Sequence, residues 1–256
     1  MTTVRPLRPQ PGAGALGGAL VHVDVTGSTN DHARVLATGG APTGTVVVAE
    51  EQTAGRGRQG RSWSAPRGRG LTLSLVWKPA AGLELLPLAA AVAVCEACEQ
   101  VAPVRCRIKW PNDVWIGERK LAGILIESRP QEQWAVIGIG VNVDVDRAQL
   151  DPDLRETATS LRIETGGGVD RVRMLAALFE ALAARLHDLE RDAAGVLAEY
   201  RRRDLLSGRQ IAWASGERWL RGEARGIDED GNLVVFTEEG ERLTLSAGEV
   251  HLAVGG

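Results

Sequence analysis

Of the 30 lysines and arginines, only Lys78, Lys109 and Lys120 are lysines, leaving 27 arginines. In a chain that uses arginine so freely, a lysine marks a place where a compact, rotatable ammonium does what a planar guanidinium cannot. Lys109 opens the run Lys109-Trp110-Pro111-Asn112-Asp113, and Lys120 opens Lys120-Leu121-Ala122-Gly123. Pro111 stops strand pairing and Asn-Asp favours a turn. The two lysines are therefore expected at the ends of adjacent strands, with an indole, an amide and a carboxylate beside them. A tight turn with a lysine on its rim is the plain alternative. Against it stands the concentration of Trp, Asn, Asp and Lys on one sheet edge.

A second concentration lies upstream. Residues 52–70, QTAGRGRQGRSWSAPRGRG, have no apolar periodicity and set Arg56, Arg58, Arg61, Arg67 and Arg69 among glycines, with Trp63 embedded. Gly55-Arg56-Gly57-Arg58-Gln59-Gly60 matches GxGxxG in form, but that fingerprint needs a helix directly after it. Arg61-Ser62-Trp63-Ser64-Ala65-Pro66 cannot open one, so a dinucleotide site fails on context. What remains is a long loop, and such loops in folded domains are functional or unstructured. Glycines let backbone N–H groups approach an anion, arginines pair with phosphates, and an indole stacks on a base. A solvated loop and an RNA-binding patch are alternatives of the same composition.

The elements that must hold these groups read from the apolar pattern. ALVHVDV is a strand, and a helix follows in which one of Ser28, Thr29 and Asn30 serves as N-cap. TGTVVVAEE is a buried strand that empties into the loop. LTLSLVWKP is a strand and LELLPLAAAVAVCEACEQVA a helix. VRCRIKW, KLAGILIES and QWAVIGIGVNV are strands in close order, residues 151–168 are irregular, and DRVRMLAALFEALAARLHDLE and AAGVLAEYRRRD are amphipathic helices. From residue 207 short strands alternate with SG, DG and EG turns, the texture of a small SH3-like barrel. The expected organisation is a flexible tail over 1–19, a catalytic domain over 20–206 and the barrel over 207–256.

Composition excludes much else. At 256 residues, 44% hydrophobic and 25% charged, the chain has globular character. A net charge of −3 gives no bulk attraction to nucleic acid. No run approaches the ~20 apolar residues of a membrane span, and the Pro/Gly-rich N-terminus lacks the apolar core of a secretory signal. A cytoplasmic location is expected. Cys95 and Cys98 form a lone CxxC, Cys106 leaves the count odd, and the histidines are scattered; all of this favours small core residues over zinc or disulfides. No GxSxG, HExxH or GxxxxGK[ST] occurs.

Five motifs carry a family resemblance in order: Ser28-Thr29-Asn30, QTAGRGRQGRSW at 52–63, KWPND at 109–113, KLAGILIE at 120–127 and GIGVNV at 138–143. Together with the barrel-like tail they resemble biotin protein ligase over about residues 20–254. The resemblance implies an α+β fold: a class II aminoacyl-tRNA-synthetase-like catalytic domain, with a mixed sheet flanked by helices, and a C-terminal SH3-like barrel. It implies two half-reactions, biotin and ATP giving biotinyl-5′-AMP and pyrophosphate, then transfer of biotin to a lysine of the carrier domain of acyl-CoA or pyruvate carboxylases. Mg²⁺ is expected with ATP, and no prosthetic group. Many relatives carry an N-terminal helix-turn-helix; the short stretch before Leu20 implies the ligase-only type.

By the same resemblance Ser28, Thr29, Asn30 and Gln52 bind the biotin head group, and Arg56, Gly57 and Arg58 close over biotin and the phosphates. Lys120 reaches the biotin carboxylate and α-phosphate. Arg61, Trp63, Asn112 and Asn142 face the nucleotide, and Asp113 receives or orients the incoming amine. Physical chemistry is consistent with these roles. Joining a carboxylate to a polyphosphate needs positioning and cationic stabilisation, and a lysine nucleophile with an ordinary pKa of ~10.4 needs a carboxylate beside it. A lipoate or octanoyl transferase on the same scaffold, and an RNA-binding module, are the rival readings; the arginine loop together with KWPND favours the ligase.

Overall fold

The structure is a computed structural model that describes residues 16–78, 83–215, 218–246, 248 and 250–252. Strand β1 (Leu20–Thr26), helix α1 (Thr29–Thr38) and β2 (Val46–Gln52) form a right-sized crossover, so β1 and β2 run parallel. There follow β3 (Gly70–Trp77), α2 (Leu86–Val101), β4 (Arg107–Lys109), β5 (Asp113–Ile116), β6 (Arg119–Arg129) and β7 (Trp134–Asn142). They complete a seven-stranded mixed sheet in the order β1-β2-β3-β7-β6-β5-β4. Helices α3 (Leu161–Thr165), α4 (Arg171–Arg191) and α5 (Ala193–Arg203) come next.

Alternation along the strands divides the sheet into two faces. Val46, Val48, Leu71, Leu73, Leu75, Ile137, Ile139 and Val141 pack in one core with the buried stripes of α2 and α4. The opposite face carries Val47, Val76 and Val136 under Ala33 and Ala37 of α1. That second face also presents Ser74, Gly138, Gly140 and Asn142, and it is where the site is built.

One expectation is corrected here. KWPND does not simply turn between two adjacent strands: Asp113 opens the short strand β5, which lies between β4 and β6. Four residues, with Gly117 at φ +58° making the return to β6, leave too little pattern to read as a strand. Lys109 pairs in register with Asp113, and Trp115 with Lys120, so β5 brings the two lysines onto either side of one carboxylate.

The foot of the arginine loop is fixed by a buried ion pair. Arg171, first residue of α4, donates through Nε to the Gly70 carbonyl at 2.8 Å and through Nη2 to Glu50 Oε2 at 2.9 Å. Both side chains are almost fully buried. Removing one partner of such a pair strands the other charge. Arg171→Ala is expected to cost about 3–5 kcal/mol in urea unfolding; a loss below about 1 kcal/mol, the range of exposed pairs, would contradict the assignment.

After α5 the strands β8 (Gln210–Ser215), β9 (Arg218–Ile227), β10 (Leu233–Thr237), β11 (Arg242–Leu245) and β12 (Val250–Leu252) form a five-stranded antiparallel sheet, β11-β10-β9-β8-β12, the SH3-like unit. It sits against the KWP segment: Trp110 Nε1 donates to the Gly231 carbonyl at 3.0 Å, and Trp213, Ile227 and Leu233 join the same core cluster as Leu86. Residues 1–15 of the expected tail lie outside the described residues, whereas Leu16 is buried in the core. No described helix is long and apolar enough to cross a membrane. Cys95, Cys98 and Cys106 are free and buried in the main core.

Candidate active site

The floor of the site is the run Gly138-Ile139-Gly140-Val141-Asn142. Period-two alternation sends Ile139 and Val141 into the core and leaves Gly138, Gly140 and Asn142 on the other face. The glycines are required by what lies on them. A Cβ on Gly140 would stand 2.3 Å from the Trp63 ring, and one on Gly138 would stand 2.1 Å from Asn30 Oδ1. Gly123, paired with Gly140 across β6 and β7, extends the floor beneath the indole. Trp63 Nε1 is buried there without a hydrogen-bond partner.

One end of the cavity is a wall of fixed hydrogen-bond polarity. Ser28 occupies the N-cap position of α1 with extended backbone, but its hydroxyl makes no capping bond. Gln52 Oε1 does that work instead, accepting from Thr29 N at 2.7 Å and from Thr29 Oγ1 at 3.0 Å. The Gln52 amide NH₂ is therefore left as a donor, and with Ser28, which lines the same cavity, it makes a pair suited to a ligand carbonyl. Ser74, fully buried on β3, lies 2.8 Å from Thr29 Oγ1 and donates to Asn30 Oδ1 at 2.6 Å. Asn30 spends its own NH₂ on Glu127 Oε2 at 2.7 Å. Its amide is thus committed to the protein, and it shapes the wall through its neighbours.

The other end is cationic. Lys120 Nζ pairs with Asp113 Oδ1 at 2.8 Å and sits 5.9 Å from the centroid of the Trp63 ring. Its backbone is clamped by the 157–159 segment, N–H to Thr157 O and C=O from Thr159 N, both 2.8 Å. Arg58 Nη1 donates to Asn112 Oδ1 at 3.3 Å, and Asn112 Nδ2 donates to the Ile124 carbonyl. Asn142 Nδ2 donates to the Thr159 carbonyl at 3.0 Å. Lys109 lies over the Trp115 ring at 4.9 Å. Burial pushes the Arg58 guanidinium below its usual pKa, and Asp113 only partly restores it. Lys109 is lowered likewise, by burial first, with Lys120 and Arg61 adding repulsion against the pull of Asp113. His251, from the C-terminal sheet, is lowered by burial and by Lys109 and Arg61. Several desolvated cations around one carboxylate make a site that lacks negative charge and is set up to take an anion.

These groups line a cavity of about 480 Å³ that runs from Ser28, Thr29 and Gln52 past Trp63 and Lys120 to Lys109 and His251. The Arg56–Arg61 stretch is one wall of it. The outer side of that stretch lines a second, more open cavity of about 940 Å³, bordered by Glu84, Leu88, Trp110, Glu127, Glu229 and Asp230. The loop is a partition tied down by ion pairs: Arg56 binds Asp31 and Glu127, Arg67 binds Asp24, and Arg69 binds Asp144.

Ser28, Thr29, Asn30, Gln52, Arg56, Gly57, Arg58, Arg61, Trp63, Asn112, Asp113, Lys120 and Asn142 all line the inner cavity. Lys109, Trp115 and His251 line it too, and sequence reasoning assigned them no role. For Lys109 a signal existed, its rarity as a lysine. Ser74 also escaped, because a serine in a strand has no pattern of its own, and Glu127 was visible only as the last residue of the KLAGILIE motif, with no role of its own.

The sequence profile described as the Biotin/lipoate A/B protein ligase family matches residues 23–144, and that of the Biotin protein ligase C terminal domain matches 206–252. Over 248 residues the chain is 37% identical to the biotin--[acetyl-CoA-carboxylase] ligase of Mycobacterium tuberculosis, covering 93% of this chain and 91% of the relative. It is 35% identical over 250 residues to the bifunctional ligase/repressor BirA of Bacillus subtilis, covering 91% of this chain and 74% of the relative. The solved biotin protein ligase from Aquifex aeolicus in complex with biotin and ATP has a TM-score of 0.81 at 28% identity, covering 91% of this chain and 99% of that one.

Proposed function

Because the chain belongs to the biotin protein ligase family, we propose that the inner cavity carries biotin and ATP side by side, head group toward Ser28 and Gln52 and α-phosphate toward Lys120. The observation that carries this reading is the polarity of the cavity, neutral donors at one end and desolvated cations at the other. A ureido carbonyl accepts from the Ser28 hydroxyl and the Gln52 amide. The carboxylate at the far end of biotin then points to Lys120 and Arg58.

The first half-reaction joins two anions, so the protein's contribution is to hold them in line and offset their charge. Lys120, released from Asp113 as the phosphate arrives, bridges the biotin carboxylate and the α-phosphate. Arg56, Gly57 and Arg58 cover them, and Asn112 and Asn142 orient the nucleotide with Trp63. Lys109 and Arg61 face the leaving pyrophosphate. Among the described residues no group of three or more His, Cys, Asp or Glu is arranged to hold a metal ion. Mg²⁺ is expected to accompany the phosphates of ATP as part of the substrate.

In the second half-reaction the carrier lysine reaches the mixed anhydride through the outer cavity, whose acidic border (Glu84, Glu127, Glu229, Asp230) favours a cationic side chain. Asp113, freed of Lys120, takes the ammonium proton or steers the amine, whose nitrogen attacks the biotinyl carbonyl to form the amide as AMP leaves. The partner is the biotin carboxyl carrier domain of an acyl-CoA or pyruvate carboxylase, in the cytoplasm.

Biotin-dependent exchange of labelled pyrophosphate into ATP tests the reading: exchange is expected with biotin and not with lipoate or octanoate. Absence of biotin-dependent exchange overturns it. A second measurement addresses the floor. Gly140→Ala puts a Cβ where the Trp63 ring lies, 2.3 Å away, so the indole must shift. Exchange at subsaturating substrate is expected to fall at least tenfold, ~1.4 kcal/mol, with the circular dichroism spectrum kept; an unchanged rate removes Trp63 from the nucleotide site.

A further inference from the structure

The Glu127 carboxylate touches none of the reacting atoms, yet donors from two different elements converge on it. Asn30 of α1 donates to Oε2 at 2.7 Å. Arg56 of the partition loop donates through Nη2 to Oε2 at 3.0 Å and Oε1 at 3.2 Å. Arg34, also on α1, stands 3.9 Å from Oε1 and binds Asp31, the other carboxylate that holds Arg56.

Inward from Glu127 the bonds run through Asn30 to Ser74, and Ser74 packs against the Thr29 hydroxyl that donates to Gln52. Asn30 Oδ1 accepts from Ser74, Ser74 lies against Thr29 Oγ1, and Thr29 gives its hydroxyl and its N–H to Gln52 Oε1. The direction at Asn30 is fixed because a carboxylate only accepts, and that at Gln52 because the Thr29 N–H only donates. With Asn30 NH₂ held by Glu127, Oδ1 must face Ser74. With Gln52 Oε1 held by Thr29, Gln52 NH₂ must face the cavity.

We propose that Glu127 is a positioning residue that couples the head-group wall to the loop closing over the ligand. The proposal rests on the ligase reading. One carboxylate serves both arms: it sets the orientation of Asn30, and with it the wall, and it holds Arg56 in the partition. A glutamine cannot do both, since its NH₂ would face one of two donors. The energetic link between the arms is of the kind that makes one site sense occupation of the other.

Two measurements on Glu127→Gln test it: binding of biotin alone by calorimetry, which reads the wall, and release of preformed biotinyl-5′-AMP, which reads the loop. Both are expected to worsen by about tenfold, with the thermal midpoint and the pyrophosphate-exchange kcat changed much less. Glu127→Asp, which keeps the charge and withdraws it by one methylene, is expected to lose on both measurements and stands in for the glutamine variant if that does not fold. Glu132→Gln removes a carboxylate of the same kind, paired with Arg129 beyond the end of β6, and is expected to leave both unchanged. If only one measurement responds, Glu127 serves one arm and the coupling is wrong. If the wild type itself fails to bind biotin, the ligase reading falls, a result separate from either.

Discussion

Lys120→Arg is expected to slow biotin-dependent pyrophosphate exchange at least tenfold although the charge is unchanged, and Lys120→Ala is expected to abolish it. Space and shape are the reason. Lys120 Cε and Nζ stand 3.3 Å from the position a Gly123 Cβ would take, the Trp63 ring lies over the ammonium, and Asp113 holds it at 2.8 Å. A guanidinium is wider, planar and committed to a fork. It cannot turn from one carboxylate to face a second carboxylate and a phosphate in the room that Gly123 leaves. A tenfold loss corresponds to ~1.4 kcal/mol of transition-state stabilisation, a lower bound for a charge between two anions that are being joined. Near-wild-type exchange by Lys120→Arg would reduce Lys120 to the ion-pair partner of Asp113 and leave the α-phosphate to Arg58 and Lys109.

The same lysine shows what a sequence can disclose. Its rarity among 27 arginines marked it, and Lys109 with it, because the choice between the two cations is chemical. The strands and helices around it were legible from alternation and from the 3.6-residue stripe of α4. The strand β5 was not. Asp113–Ile116 is four residues long, too short for alternation to show, and only its register with β4 and β6 identifies it. The wall was half legible. Ser28, Thr29 and Asn30 read as cap-formers, and Ser28 does take the cap position, but the cap itself comes from Gln52, 23 residues beyond Thr29. Long-range bonds of that sort leave no spacing to read. Ser74 had no visible signal, since on a buried strand its neighbour Gly138 explains it only once the sheet is assembled. In retrospect the glycines of GIGVNV did have one: both fall on the same parity as Asn142, opposite the aliphatic residues, as a floor under a ligand requires.

Arg58→Ala is expected to fail differently from any Lys120 variant. Arg58 belongs to the partition and is held by Asn112, and its burial already works against its charge in the absence of an anion. An adenylate phosphate would supply the missing counter-charge, and a charge-assisted bond of that kind contributes ~1.5–3 kcal/mol. Losing it should accelerate biotinyl-5′-AMP release by roughly 10- to 150-fold while Lys120 continues to form the adenylate. The freed compound is a mixed anhydride and acylates accessible amines without selection. Incubated with biotin, ATP, the carrier domain and albumin, the wild type is expected to label the carrier alone on a streptavidin blot, and Arg58→Ala to label albumin as well. Filter retention of the adenylate gives the rate directly. Equal retention by the two proteins would remove the clamp from Arg58. It would shift that role to Arg56, whose bonds to Asp31 and Glu127 already hold the loop in place before any ligand arrives.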